Sequence, residues 1–200
     1  MAEVNVRSVC IFCGSRSGVR PEYRDAATKL GAAMARRGLT LVYGGASVGL
    51  MGAVADAVLA GGGRAVGVLP HFMDAKELGH PRLTEMHRVD SMHSRKALMA
   101  ERADAFIALP GGFGTLDELF EIVTWAQLGL HRKPMGLLDV DGFFQPLLAL
   151  VQRMVEAGFV PETQAMPFAV SPSPDALLDR LISGPTMPVT SKWLKDGQQT

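Results

Sequence analysis

Residues 104–127 read DAFIALPGGFGTLDELFEIVTWAQ, and this stretch decides the fold. "DAFIALPGG" is a short apolar run that ends in Pro and Gly, as a buried strand does. "TLDELFEIVTWAQLGL" follows with apolar residues at helical spacing. The glycines between them mark a tight strand-to-helix turn. Thr115 and Glu118 stand three apart at the head of the helical run. That is capping-box spacing, in which a Thr hydroxyl and a Glu carboxylate satisfy free amides at a helix start. A bound phosphate would use the same amides, so the stretch predicts either a cap or an anion site in which Glu118 does chemistry.

Outward from this stretch the pattern repeats. "SVCIFCG", "LTLVYGG", "RAVGVLP" and "KPMGLLDVDG" are strand-like, and residues 167–183 read as a short strand, a loop and a helix. Between them lie helical patterns at 21–38, 49–63, 90–103 and 143–158. Strand alternating with helix through short connections predicts an α/β fold, a doubly wound parallel sheet with helices on both faces. One domain is expected over residues 1–183, with a loosely held polar tail over 184–200. In such a sheet ligands sit beyond the carboxyl ends of the strands, where strand order reverses. This locates four loops: "CGSRSG", which contains Ser15; "YGGASVGLMG", with Gly44 and Gly45; the long segment from Leu69 to Asp90; and "LPGGFGT", with Gly111, Gly112, Gly114 and Thr115. Three are glycine-rich. One such loop is explained by a tight turn, whereas three on one edge point to a phosphorylated ligand.

Composition narrows the classes. The chain has 200 residues, 48% hydrophobic and 20% charged, with twenty basic residues balancing twenty acidic ones. No general attraction to nucleic acid or to an anionic membrane is implied. With no signal segment and no run long enough to span a bilayer, the sequence reads as soluble and cytoplasmic. Cys10 and Cys13 form a C-x-x-C, but Cys10 lies inside an apolar run and no second pair completes a zinc site, so two reduced, buried thiols are expected. The five histidines show no metal-ligand spacing; His93 stands out because it neighbours Arg95. "DVDG" at Asp139 lacks the later Glu of a calcium loop and reads as a turn. Neither a metal nor an organic cofactor is expected. There is no P-loop pattern, and Asp117 stands where the last glycine of a dinucleotide fingerprint belongs.

"PGGFGTLDE" fits P-G-G-x-G-T-x-x-E, "SMHSRKALM" lies upstream, and "YGGASVGLMG" precedes both. Together these resemble the LOG ("lonely guy") family of cytokinin riboside 5′-monophosphate phosphoribohydrolases, from about Val9 to about Gly158. The resemblance implies a Rossmann-like fold, a homodimer, and hydrolysis of the N-glycosidic bond of a nucleoside 5′-monophosphate without metal or organic cofactor. It implies Glu118 and Arg95 as the catalytic pair. It further implies a phosphate cradle at Gly111, Gly112, Gly114 and Thr115, and substrate-binding positions at Glu77, Met92, Lys96, Asp117 and Thr124. Asp117 departs conservatively from the Glu found in many members. Members of this family also carry the label lysine decarboxylase, for which the sequence offers no pyridoxal phosphate site. Two further readings stay open: a nucleosidase of broader AMP-type specificity, and a non-catalytic molybdenum cofactor carrier of the same fold. Apolar residues on two helices, Met92, Leu98 and Met99 and then Phe120, Ile122, Val123, Trp125 and Leu128, exceed what one sheet face needs, a core reading of them stays open, and the family resemblance implies an isologous pair built from such helices.

Overall fold

A computed structural model describes residues 5–74 and 78–183. Seven parallel strands form one sheet in the order β4-β3-β2-β1-β5-β6-β7. They are β1 (Ser8–Phe12), β2 (Thr40–Tyr43), β3 (Ala65–Pro70), β4 (Glu85–Val89), β5 (Ala105–Ala108), β6 (Met135–Leu138) and β7 (Ala169–Ser171). The helices are α1 (Pro21–Arg36), α2 (Gly49–Ala60), α3 (His71–Asp74), α4 (Met92–Arg102), α5 (Phe113–Gln127), α6 (Gln145–Glu156) and α7 (Pro174–Ser183). The expected doubly wound, Rossmann-like arrangement is what the chain forms.

The central strands are continuous apolar runs because both faces are covered. Successive side chains still divide between the faces. Val9, Ile11 and Cys13 join the cluster under α1, α2 and α7, whereas Cys10 and Phe12 join the one under α4 and α5. The two cysteines therefore lie buried on opposite faces, as free thiols.

One strand escaped the sequence reading. The long segment after β3 contains the short helix α3 and the edge strand β4, whose "EMHRV" is half polar and only partly buried. An edge strand buries less, so it carries no apolar run to betray it. The segment is stitched back onto the loop after β2. The amide of His80 donates to Gly45 O at 2.9 Å and that of Ser47 to Leu78 O at 3.0 Å. His80 is buried, with Nε2 3.2 Å from Asp56 Oδ1 on α2. "DVDG" forms the expected turn, a 3-10 turn with Asp141 at φ 53°. Glu77 and the tail 184–200 lie outside the described residues.

Helices α1 and α2 pack closest at Gly31, where an added Cβ would lie 2.5 Å from Val54 O and 2.8 Å from Ala57 Cβ. Gly→Ala stabilises an ordinary helix interior by roughly 0.5–1 kcal/mol. Gly31→Ala is expected to do the reverse and destabilise by about 1–3 kcal/mol, because backbone of the facing helix must move. A urea midpoint equal to or above wild type would show that the two helices separate freely.

Candidate active site

The chain runs β1 to β4 toward one edge, then returns to the centre and runs β5 to β7 toward the other. A cleft must open at the reversal, above the carboxyl ends of β1 and β5. A cavity of about 570 Å³ lies there. Its walls are the loop after β1 (Gly14, Ser15, Arg16), the turn Pro110–Thr115, Leu50 and Met51 of α2, and the side chains of Arg95 and Glu118. The two loops are joined by the amide of Gly14, which donates to Pro110 O at 3.1 Å.

The capping box does not form. The N-cap of α5 is Gly112, with no side-chain cap, and Thr115 is already the third helical residue. The first intrahelical bond runs from Leu116 N to Gly112 O. Local spacing placed the helix start at Thr115, but the β5 turn admits the glycines into the helix and tertiary packing overrides their propensity. The amides of the first turn are thus left without intrahelical acceptors or a side-chain cap, at the cavity wall. Glu118 moves to the second turn, one turn behind them, rather than the first as expected.

The glycines split into two kinds. At Gly111 an added Cβ would meet Thr115 Oγ1 at 2.1 Å, and at Gly44 it would meet Arg95 Nη2 at 1.8 Å. Those two make room for protein. At Gly112 and Gly114 no atom lies within 4 Å of an added Cβ, so they leave open space. Gly44 and Gly45 sit behind Arg95 rather than on the cavity wall, Gly45 with φ +77°.

Arg95 is 6% exposed. It stands on the first turn of α4, whose N-cap Ser91 accepts from the amide of Ser94 at 3.0 Å. Its Nε donates to Val68 O at 3.2 Å and its Nη2 to Gly44 O at 3.4 Å. Nη2 also lies 3.9 Å from Glu118 Oε1. Met92 packs beside this guanidinium, its Sδ 3.7 Å from Nη1. Burial pushes the Glu118 carboxyl up to about 7, against the pull of Arg95. A partly buried carboxyl poised near neutrality beside a fixed cation can exchange a proton or, ionised, stabilise a developing cation. Cys13 also lines the cavity, but burial, reinforced by Glu118, drives its thiol far up, so it stays protonated.

Of the residues singled out in the sequence, Ser15, Arg95, Gly111, Gly112, Gly114, Thr115 and Glu118 come together at the cavity. Lys96 does not reach the wall. Its Nζ bridges Asp117 and Glu121 at 3.1 Å each, stapling α4 to α5. Burial opposes the Lys96 charge, yet these two hydrogen bonds carry its pKa upward overall. Thr124 is exposed and donates to Phe120 O at 2.7 Å. His93 is exposed on α4, off the cavity. Sequence reasoning missed Tyr23 and Phe143, which meet edge to face at 5.9 Å on the cavity wall, and Met73 of α3. They come from elements remote in sequence, and no spacing joins them.

A family model described as "Possible lysine decarboxylase" matches residues 51–181. The chain is 51% identical over 175 residues to a probable cytokinin riboside 5′-monophosphate phosphoribohydrolase of Oryza sativa subsp. japonica, covering 88% of this chain and 77% of the relative. It is 52% identical over 154 residues to a cytokinin riboside 5′-monophosphate phosphoribohydrolase of Arabidopsis thaliana, covering 77% and 71%. The chain belongs to the LOG family. Among solved structures, the LOG-family fold seen here resembles a molybdenum cofactor binding protein of Rippkaea orientalis (TM-score 0.67, 20% identity, 87% and 94% coverage). It also resembles a molybdenum cofactor carrier protein of Chlamydomonas reinhardtii (0.65, 20%, 88% and 98%). At that identity the likeness is one of fold. The decarboxylase description of the family model asks for a lysine that could hold pyridoxal phosphate as a Schiff base. No lysine lines this LOG-family cavity among the described residues, and Lys96 is held by two carboxylates outside it, so the site does not fit that group.

The raised Glu118 pKa has a stability consequence whose sign is fixed. Between the ordinary value of 4.5 and about 7, the folded protein holds a proton on Glu118 that the unfolded chain has released. Stability therefore falls as pH rises through that window, by about 3 kcal/mol at full effect. Glu118→Gln is expected to be more stable than wild type by about that amount at pH 8, the gain shrinking toward zero near pH 4. Urea unfolding of both proteins across this range checks it, and parallel pH profiles would contradict it.

Proposed function

We propose that this LOG-family protein hydrolyses the N-glycosidic bond of cytokinin riboside 5′-monophosphates, releasing the free cytokinin base and ribose 5-phosphate. The observation that carries the reading is Glu118, a partly buried carboxylate, its side chain 12% exposed, 3.9 Å from Arg95 and one turn behind an uncapped, glycine-lined helix start. Identity near one half to relatives that bear this activity in their names supports the substrate.

The chemistry follows from the side chains. The C1′–N9 bond lengthens, its electron pair leaves with the base, and positive charge develops on the sugar, as in glycoside hydrolysis. Ionised Glu118 stabilises that charge and draws a proton from the attacking water, whose oxygen bonds to C1′. The base takes up a proton from solvent as it leaves and Glu118 later returns to solvent the one it drew, so the net change is the addition of one water across C1′–N9. Arg95 cannot act as an acid near neutrality, so it supplies fixed positive charge toward Glu118 and the departing purine. The phosphate is held at the first-turn amides of α5, and its binding energy positions the sugar.

The assay incubates the protein with isopentenyladenosine 5′-monophosphate, AMP and the corresponding riboside, and measures free base by chromatography. Base is expected from the modified monophosphate far more than from AMP or the riboside. Equal release from AMP would favour the broader nucleosidase, and none from any monophosphate would favour a carrier. On the acidic limb, kcat/KM should rise with pH to a plateau above about 7, where Glu118 is ionised. Glu118→Gln should lose turnover by a factor of about 100 or more while remaining folded.

We also propose that it works as a homodimer in the cytoplasm, with neither nucleic acid nor membrane as a partner. The balanced charge and the two free, buried thiols support this setting. The apolar surplus for pairing is smaller than the sequence suggested, because Met99, Ile122 and Val123 face the core. What remains is a stripe along α5 through Phe120, Thr124 and Leu128, the last 50% exposed, and the 38% exposed Met92 of α4. Light scattering should give twice the monomer mass, and Leu128→Glu should shift it toward one; a wild-type monomer would refute the pairing.

A further inference from the structure

Among the described residues, the charge on the cavity wall is carried by two cations and one carboxylate, and one of the cations has no part in the reaction as set out above. Arg95 and Glu118 face each other, and Arg16 is the remaining charged residue of the lining. Arg16 is exposed, and no described residue engages its guanidinium in a hydrogen bond or ion pair. Arg95 is committed: Nε and Nη2 donate to the carbonyls of Val68 and Gly44, and Nη1 lies against Met92 Sδ. Two of its five donors are held by carbonyls and a third lies against sulfur, so at most two remain for a ligand. Arg16 keeps all five of its donors.

The root of Arg16 is fixed although its head is free. The amide of Gly14 donates to Pro110 O, and Gly14 O accepts from the amide of Leu50 at 3.0 Å. Gly49 approaches so closely that an added Cβ would lie 2.3 Å from Ser15 C and 2.6 Å from Arg16 N. Beyond the loop, Arg20 pairs with Asp141, anchoring it to the turn after β6. The loop is thus clamped against the β5 turn and α2, which sets Arg16 on the wall of the cavity that the open glycines Gly112 and Gly114 also line.

We propose that Arg16 is the counter-ion of the substrate's 5′-phosphate, facing the uncapped amides of α5, and that it sets the preference for a monophosphate over the riboside. This rests on the phosphoribohydrolase reading. The electrostatics require such a group. A phosphate dianion brought near an ionised Glu118 would outweigh Arg95 alone. With Arg16 the excess negative charge in the cleft is halved, and a planar fork meets a phosphate through two parallel bonds. A lysine there would keep the charge and lose the fork.

The test compares wild type, Arg16→Ala and Arg16→Lys on isopentenyladenosine 5′-monophosphate and its riboside. Direct binding of ribose 5-phosphate by calorimetry is measured beside the kinetics. In Arg16→Ala the ratio of kcat/KM for monophosphate to that for riboside should fall about tenfold, mostly through KM, with Arg16→Lys between the two. Affinity for ribose 5-phosphate should fall by a similar factor and should weaken less with added salt than in wild type. Equal losses on both substrates, or ribose 5-phosphate affinity unchanged in Arg16→Ala, would overturn the assignment. If wild type hydrolyses no monophosphate, the enzymatic reading fails, and the calorimetry alone still decides whether Arg16 holds the phosphate.

Discussion

The structure turns on a buried guanidinium. Arg95 is taken out of water at the carboxyl edge of the sheet, and an unpaired charge there would cost several kcal/mol. Two backbone carbonyls, of Val68 within β3 and Gly44 beyond β2, accept its protons. Glu118 approaches from α5 on the other side. Strand ends, the loop after β2, α4 and α5 are therefore tied to one planar group. The glycine at position 44 exists because the guanidinium needs the space. The strap that leads into β4 is bonded to that loop through Leu78 and His80, and His80 also pairs with Asp56 of α2.

Glu118 carries the opposite cost. A carboxyl shielded from water prefers its proton, and Arg95 recovers only part of the loss. Such a group weakens the fold at neutral pH, and a sequence optimised for stability alone would not keep it. Its presence one turn behind open amides makes sense if the site needs a base near neutrality. The neighbouring Lys96, Asp117 and Glu121 illustrate the contrast. They sit at the margin, satisfy one another, and fasten α4 to α5 without touching the cavity.

Much of this was legible in the chain. Alternating apolar and periodic segments specified a parallel sheet covered on both faces, because strands buried twice must be apolar throughout. The glycine-rich strand ends located the cleft. Arg95 and Glu118 were identified through motif resemblance, and they do meet. Edge strand β4 was not legible, since half-polar "EMHRV" lacks the run that marks an interior strand. The start of α5 was misplaced because capping preferences are local. There the turn above β5 decides, drawing Gly112 to Thr115 into the cap and first turn.

By itself, then, the sequence determined the layered architecture, the edge on which the cavity opens and the residue types available there. These depend on periodicity and on backbone freedom, which are properties of neighbouring residues. Only the tertiary structure decided which glycines accommodate protein and which leave room for a ligand, and which of two arginines is committed. It also decided that the cysteines of C-x-x-C never face one another, and that Tyr23 and Phe143 share a wall. Those outcomes depend on distances between residues far apart in the chain. The burial that lifts the Glu118 carboxyl is of the same kind, because it arises from everything packed around the group and from no residue beside it in sequence.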